Sequence, residues 1–262
     1  MIRHTIGRSA LLAGIILAAA QVPAAQAPMP KIPDYLSAAV ADPARPAADV
    51  DRDVNRKPAE TLEFAGLKPG LKVAELLPGG GYFTRIISKT VGSTGHVYAL
   101  VPAPRPDAPA DAPDFAARVK AIAADPNYSN VSVVVEPFAE LKTPEPVDLV
   151  WTSQNYHDLH NLPGLNLTVF NQMVFEALKP GGIYLILDHS SVPGAGIGVT
   201  ATLHRIDPQA VKQEVLAAGF EFVGSSNLLH RPSDPRTAKV FDPSIRGRTD
   251  QFILKFRKPV KP

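Results

Sequence analysis

The sequence predicts an α/β protein with a seven-stranded, mostly parallel sheet whose last strand is antiparallel. Short apolar runs alternate with segments of helical periodicity, and most of the runs are apolar at every position. Such runs are typical of parallel strands covered by helices on both faces. The predicted strands are 72–77, 96–102, 131–135, 147–152, 183–188, 221–229 and 251–257.

Helices are expected between most of these strands. In residues 82–91, Phe83, Ile86 and Ile87 recur at helical spacing. Only the irregular segment 230–249 separates the last two strands, so that pair is expected to be antiparallel. The predicted helices are 56–64, 82–91, 114–124, 167–178 and 208–219.

The first 27 residues have the pattern of a secretory signal peptide. Two arginines precede an apolar run over residues 10–20, and small residues continue to Ala27. The run is too short to cross a bilayer as a helix. Cleavage after Ala20, Ala24 or Ala27 fits the pattern, and an uncleaved membrane anchor is the alternative. The segment predicts an exported, periplasmic protein with no stable membrane insertion after cleavage.

The rest of the chain is divided near residue 54. Residues 28–54 are rich in Ala, Pro and Asp and have no sustained period, which predicts an irregular N-terminal arm. Residues 55–262 contain all the predicted strands and form the α/β domain. The arm, with Arg52 and Arg56, and the long loop 230–249 are candidates for the walls of a pocket, because long connections in compact domains usually have a function.

Charge and composition exclude several kinds of function. The formal charge is +2, and removal of residues 1–27, which hold two arginines and no acid, lowers it to 0. A nucleic-acid partner is therefore not indicated. The chain has no cysteine, which excludes disulfides, thiolate metal ligands, a cysteine nucleophile and a lipid-modified N-terminal cysteine. A small-molecule substrate is expected, and the oligomeric state is left open.

A glycine-rich turn follows the first predicted strand. Residues 73–81 read VAELLPGGG. Glycines permit a tight turn and let a ligand approach the backbone at the mouth of the sheet. Glu75 can accept hydrogen bonds from a ligand or from the loop. By itself this turn also suits a dinucleotide-binding protein or a plain connection.

Further motifs make the chain resemble class I S-adenosylmethionine methyltransferases along nearly its whole length after the leader. LKPGG precedes strand five, AAGF follows the last long helix, and two antiparallel strands end the chain. The motifs NYHDLH, DHSS, LHRID and FDPSIRGRTDQFILKF resemble more closely a bacterial group of predicted, often exported, methyltransferases. The resemblance implies a Rossmann-like class I methyltransferase fold for residues 55–262, with S-adenosylmethionine as cofactor.

The resemblance also implies where the cofactor would bind. Its methionine end would meet strand one and the glycine turn, although Leu77 replaces the usual first glycine. Its ribose would meet Val101, where most of the family has a carboxylate, and its adenine would lie near Glu136. The implied cofactor-binding residues are Glu75, Pro78, Gly79, Gly80, Gly81, Tyr82, Val101, Glu136 and Asn155.

The richest polar segment, residues 153–161, follows strand four. Open parallel sheets bind ligands at the carboxyl ends of their strands, so this segment is expected to border the site. His157 or Asp158 is the candidate general base, since an imidazole near its ordinary pKa suits that task. Alternatively, these groups only cap the following helix and hold loops together.

A metal site is a third interpretation of the same segment. His157, His160 and His189, with Asp188 after strand five, carry ligands that suit zinc or copper. The candidate substrate contacts are Tyr156, His189 and Arg205. Arg205 would reach an anionic substrate, whereas Asp207 beside it is the expected cap of the next helix.

Two functions are compatible with these expectations. The first is methyl transfer from S-adenosylmethionine to a small or medium-sized acceptor. The alternative is an exported, non-catalytic module of the same fold that binds a metal or an adenosine-like ligand. The intact PGGG turn favours the first function. The missing ribose carboxylate, and export away from the cytoplasm where the cofactor is made, favour the second.

Overall fold

The computed structural model describes residues 31–104, 109, 114–137, 140 and 142–260. The predicted signal peptide lies outside these residues. Within the described ranges, no helix is both long enough and apolar enough to span a membrane.

Seven strands of the described chain form one sheet in the order β3-β2-β1-β4-β5-β7-β6. The neighbours from β3 to β5 are parallel, and β7 is antiparallel to both β5 and β6. The predicted mostly parallel sheet with an antiparallel last strand is therefore confirmed. The strands are β1 (Lys72–Leu76), β2 (His96–Pro102), β3 (Val131–Glu136), β4 (Val147–Ser153), β5 (Leu178–His189), β6 (Glu221–Ser226) and β7 (Gln251–Arg257).

The helices cover both faces of this sheet. Along β4, Leu149 and Trp151 belong to one apolar cluster and Val150 to another, as expected where side chains alternate across a strand. Trp151 is fully buried, and its ring centroid lies 4.7 Å from that of Phe83. The helices within the described ranges are α1 (Asp34–Val40), α2 (Ala47–Val50), α3 (Asp53–Arg56), α4 (Pro58–Ala65), α5 (Tyr82–Val91), α6 (Ala117–Ala123), α7 (Tyr156–Leu159), α8 (Leu167–Ala177), α9 (Thr200–Leu203) and α10 (Pro208–Ala217).

The N-terminal arm differs from the expectation of irregular chain. Residues 34–56 contain α1, α2 and α3, and Leu36 of α1 is fully buried in the core. A guanidinium–carboxylate pair of Arg45 and Asp53 holds the segment together, with Nη2 and Oδ1 2.7 Å apart. These helices have seven residues or fewer, so they are too short for a hydrophobic period to appear in the sequence.

The long fifth strand is a second difference. β5 begins at Leu178 and includes the LKPGG segment, whereas the sequence predicts a start at residue 183. A register irregularity between Val147 and Leu149 of β4 accommodates the extra length. Glycine and proline have low strand propensity, so the sequence of this segment does not indicate a strand. Pairing with β4 nevertheless holds it in an extended conformation.

A buried ion pair anchors the loop between β6 and β7. Arg205 and Asp234 are both almost completely buried, with Nη2 of Arg205 2.9 Å from Oδ2 of Asp234. Arg205 also donates to the carbonyl oxygens of Ser190 and Ala238, each at 2.9 Å. The guanidinium therefore joins the end of β5 to the loop.

We expect Asp234→Asn to lower the free energy of unfolding by about 3 to 5 kcal/mol, because it leaves the buried Arg205 charge without its counter-charge. Urea denaturation measures the change. The matched control is Glu221→Gln, which breaks an exposed pair with Arg257 and should change stability by at most about 1 kcal/mol. Equal losses in the two variants would contradict the role assigned to the buried pair.

Candidate functional site

A cleft of about 710 Å³ opens at the carboxyl ends of β1, β2 and β4. The strand order reverses between β1 and β4, because chain connections from these two neighbours run outward in opposite directions across the sheet. Open α/β sheets bind their ligands at such a reversal. The glycine turn after β1 and the polar segment after β4 both line this cleft.

The glycine turn forms one wall of the cleft. Leu77 has a φ of 51°, a left-handed backbone conformation that glycine adopts more readily than other residues. Gly79, with a φ of 58°, and Gly80 line the cleft and expose their backbone. Gly81 is not among the described lining residues; its φ of 77° favours glycine, and a Cβ atom on it would meet Cδ1 of Ile122. Tyr82 then begins α5 and also lines the cleft.

Glu75 lies under this turn and is buried. The hydroxyl of Thr84 donates to its Oε2 at 2.5 Å. Burial raises the pKa of Glu75 to about 7, although the Thr84 hydrogen bond and the charge of Arg56 both act to lower it. The carboxyl group therefore changes its protonation near neutral pH at one end of the cleft.

Two arginines of the N-terminal arm complete this end of the cleft. Arg52 and Arg56 both line it, as the sequence predicts. The guanidinium of Arg56 lies 4.5 Å from the ring centroid of Tyr82 and donates to Oε1 of Gln154. Burial and the neighbouring charge of Arg52 lower the pKa of Arg56 to about 10. By contrast, the described residues lining the cleft include none from loop 230–249.

Asn155 connects the two walls of the cleft. Its side-chain nitrogen donates to the carbonyl oxygen of Leu77 at 2.9 Å, and its side-chain oxygen accepts from the hydroxyl of Thr152. The amide thereby holds the glycine turn against β4. Asn155 lines the cleft, but its main contacts in the structure stabilise the turn.

The far end of the cleft departs from the sequence-based expectation. Val101 lines it and is buried, but Glu136 is exposed and is not among the described residues that line it. Asp114, Phe115 and Arg118 line it instead. The sequence has no motif that marks these three side chains, beyond the predicted start of a helix at residue 114.

A histidine–carboxylate cluster lies beside the cleft. Asp188, at the end of β5, accepts from the backbone nitrogen of His157 and lies 2.8 Å from its Nδ1. Oδ1 of Asp158 lies 3.3 Å from Nε2 of His157 and 3.3 Å from Nδ1 of His204. Burial by itself lowers the pKa of His157, but the carboxylates of Asp188 and Asp158 raise it to about 10. Asp158 is the member of this cluster that lines the cleft.

Four other predicted site residues are not among the described residues that line the cleft. Tyr156 is buried and donates from its hydroxyl to Glu214, and Nε2 of His160 lies 3.2 Å from the same carboxylate. His189 lies 2.8 Å from the Thr249 hydroxyl through its Nδ1, and burial lowers its pKa to about 4. Arg205 is held by its buried pair. Tyr156, His189 and Arg205, the predicted substrate contacts, thus lie outside the described lining of this cleft.

An adenosyl ligand fits several features of the cleft. The open backbone at Gly79 and Gly80 suits a ligand lying against the turn, and Glu75 and the arginines offer both charges at one end. The side chain of Val101 provides no hydrogen-bond acceptor. Glu75, Asp114 and Asp158 supply the carboxylates among the described lining residues.

No protein-family model and no curated protein sequence matches this chain. Its structure is similar to that of a SAM-dependent methyltransferase from Aquifex aeolicus, with 19% identity, a TM-score of 0.55 and coverage of 79% of this chain and 92% of that chain. A methyltransferase from Mesorhizobium loti has 16% identity, a TM-score of 0.54 and coverage of 79% and 99%.

A third similar structure holds the cofactor itself. The glycopeptide N-methyltransferase MtfA, in complex with S-adenosyl-L-methionine, has 17% identity, a TM-score of 0.51 and coverage of 77% of this chain and 86% of that chain. These similarities agree with the strand order and the antiparallel β7. The chain therefore has the class I methyltransferase fold.

Proposed function

We propose that this protein transfers the methyl group of S-adenosylmethionine to a small or medium-sized acceptor. The observation that carries the proposal is the cleft at the reversal of strand order, with an open glycine backbone above the carboxyl group of Glu75. Fold alone does not determine function. The charges and hydrogen-bonding groups of this cleft are therefore the basis of the argument.

The charge distribution of the cleft matches the methionine end of the cofactor, which carries an ammonium and a carboxylate. Glu75 supplies a negative charge once it is ionised, and Arg52 and Arg56 supply positive charges. The opposite charges lie at the same end of the cleft, since Arg56 acts electrostatically on Glu75. We assign Glu75 to the ammonium and the two arginines to the carboxylate.

Methyl transfer asks the protein mainly to align the acceptor with the sulfonium methyl group. In the reaction, the bond between sulfur and methyl breaks, a bond between the acceptor atom and the methyl forms, and a neutral thioether leaves. A protonated acceptor must also lose a proton. Asp158 is the carboxylate of the histidine cluster that lines the cleft, and we assign it to accept this proton. The neighbouring carboxylates raise the pKa of His157 to about 10, so His157 stays protonated near neutral pH and holds Asp158 at 3.3 Å.

The second candidate function is binding of an adenosine-like ligand without methyl transfer, which Val101 at the ribose position favours. Calorimetric titration with S-adenosylmethionine and with its demethylated product tests both functions. Methyl transfer requires binding of both forms, and a screen with radiolabelled cofactor then identifies acceptors. If neither form binds at millimolar concentration, the proposed function fails.

We expect Gly80→Val to weaken S-adenosylmethionine binding at least tenfold, or by about 1.4 kcal/mol, because the side chain would occupy the cleft. A Cβ atom on Gly80 meets only Nη1 of Arg118, at 3.8 Å, so the fold should be preserved. Calorimetry measures the affinity and circular dichroism checks the fold. Gly224→Val, in open space on β6, is the control and should bind normally. Unchanged affinity in Gly80→Val would contradict the placement of the cofactor.

We expect cofactor affinity to increase as the pH rises through about 7, because ionised Glu75 attracts the ammonium group. Thr84→Val should move this midpoint upward, since it removes the hydrogen bond that favours the ionised form. Calorimetry between pH 6 and pH 8.5 (on the order of one unit on either side of the expected pKa) measures both profiles. A flat profile in the unmodified protein would exclude this role for Glu75.

Glu75→Gln should weaken cofactor binding and also stabilise the protein. The pKa of Glu75 is raised above 4.5 by burial, so the folded state holds the extra proton between pH 4.5 and about 7. Stability therefore falls as the pH rises through this range. At pH 8 the free energy of unfolding of Glu75→Gln should exceed that of the unmodified protein by up to about 3 kcal/mol, as measured by urea denaturation. A loss of stability would refute the expectation.

A further inference from the structure

Three potential metal ligands converge beside the cleft. They are Nε2 of His157 and a carboxylate oxygen of Asp158, both on α7, and Nδ1 of His204, which directly follows α9. The three atoms all lie within 4.8 Å of one another. Oδ1 of Asp158 lies 3.3 Å from each of the two nitrogens. No continuous sequence motif contains this set, because His204 is distant from α7 along the chain.

These distances suit a tetrahedral metal ion. Zinc binds histidine nitrogen and carboxylate oxygen at about 2.0 to 2.2 Å, and neighbouring ligand atoms of a tetrahedron with such bonds lie about 3.3 Å apart. The two distances from Asp158 equal that edge, and the two nitrogens lie within 4.8 Å of each other. Two histidines and one carboxylate, with a fourth position left open, is a ligand set of catalytic zinc sites.

The surroundings of His157 prepare it to bind a cation. Its Nδ1 lies 2.8 Å from Asp188, whose other oxygen accepts from the backbone nitrogen of the same residue. This carboxylate orients the ring and points Nε2 toward Asp158 and His204. The imidazole is 2% exposed, and its Nε2 faces Oδ1 of Asp158 at 3.3 Å. A carboxylate behind a metal-binding histidine is a usual feature of metal sites.

His204 is held in an unusual backbone conformation. Its φ of 53° and ψ of 48° lie in the left-handed region, which residues other than glycine rarely adopt. Its ring centroid lies 4.9 Å from that of Phe241, with the two planes inclined at 60°, and the ring stands nearly perpendicular to that of His157. Strained backbone positions are often found at functional sites. Here the conformation directs Nδ1 toward Asp158.

We propose that His157, Asp158 and His204 bind one divalent zinc ion, with its open coordination position beside the cleft that Asp158 lines. This set differs from the sequence-based alternative, because His160 lies against Glu214 and His189 against Thr249. His204 takes their place. The cluster joins the ends of β4 and β5 to the segment that follows the glycine-rich loop 193–198.

The site also indicates a class of methyl acceptor, and this part rests on the proposed function. With zinc bound, His157 and Asp158 would be its ligands and would not take the acceptor's proton. An acceptor with a thiol or hydroxyl group would bind the zinc ion through its sulfur or oxygen and release its proton to solvent. The resulting anion would attack the sulfonium methyl group, and the neutral thioether product would leave. The substrate class is therefore a small molecule with an ionisable thiol or hydroxyl group.

The test uses the full chain after dialysis against a chelator, titrated with zinc chloride by calorimetry and with cobalt chloride by visible spectroscopy. We expect one equivalent of each metal to bind, with the strong visible bands of tetrahedral cobalt. His204→Asn should abolish this binding, because asparagine tolerates the left-handed backbone but lacks the imidazole. Asp188→Asn should weaken binding by about 10-fold to 100-fold.

The control is His96→Asn, the same substitution at a histidine that contacts Ser132 on β3, outside the cluster. It should bind zinc like the unmodified protein. Absence of stoichiometric binding, or equal binding in His204→Asn and the unmodified protein, would overturn the proposal. Titration with S-adenosylmethionine without metal reports separately on the proposed function, so each proposal can fail alone.

Discussion

The site depends on one topological constraint, the reversal of strand order between β1 and β4. Connections from these neighbouring strands run outward to opposite sides, so their carboxyl ends are left open to a ligand. The glycine turn after β1 and the polar segment after β4 face each other across this opening. Asn155 joins the two walls by donating to the turn. The charged groups assigned to the cofactor and to the acceptor's proton, Glu75, Arg52, Arg56 and Asp158, all line this crevice.

Charge around the crevice is organised in layers of decreasing access to solvent. The arginines of the arm, Asp158 and Glu75 all line the cleft, but Glu75 is buried beneath the turn. Asp188 is fully buried and orients His157 without lining the cleft. Burial raises the pKa of Glu75 to about 7, because it disfavours the ionised carboxylate in the folded protein. Such a cost is typical where electrostatic function, and not stability, determines the residue.

Three of the five described residues other than glycine with a left-handed backbone belong to the crevice or to the histidine cluster beside it. Leu77 and Gln154 line the crevice from opposite walls, and His204 lies in the cluster. Each conformation costs free energy that the surrounding contacts must supply. Gln154 is held between Arg56 and Gln251 by its side-chain amide. The cleft therefore combines a regular sheet with strained connections that direct particular groups toward it.

The sequence by itself determined the architecture. Apolar runs and helical periods are local properties, so they predicted the seven strands and the long helices, and the PGGG turn indicated the mouth of the sheet.

The tertiary structure decided which side chains meet. Tyr156 and Asp158 are two residues apart in one polar motif, yet one is buried in the core and the other lines the cleft. His204 reaches the cluster from another loop, and Arg205 next to it is buried against Asp234. No periodic pattern in the sequence reports contacts between distant segments or the direction of a side chain on a short helix. Only tertiary packing determines both.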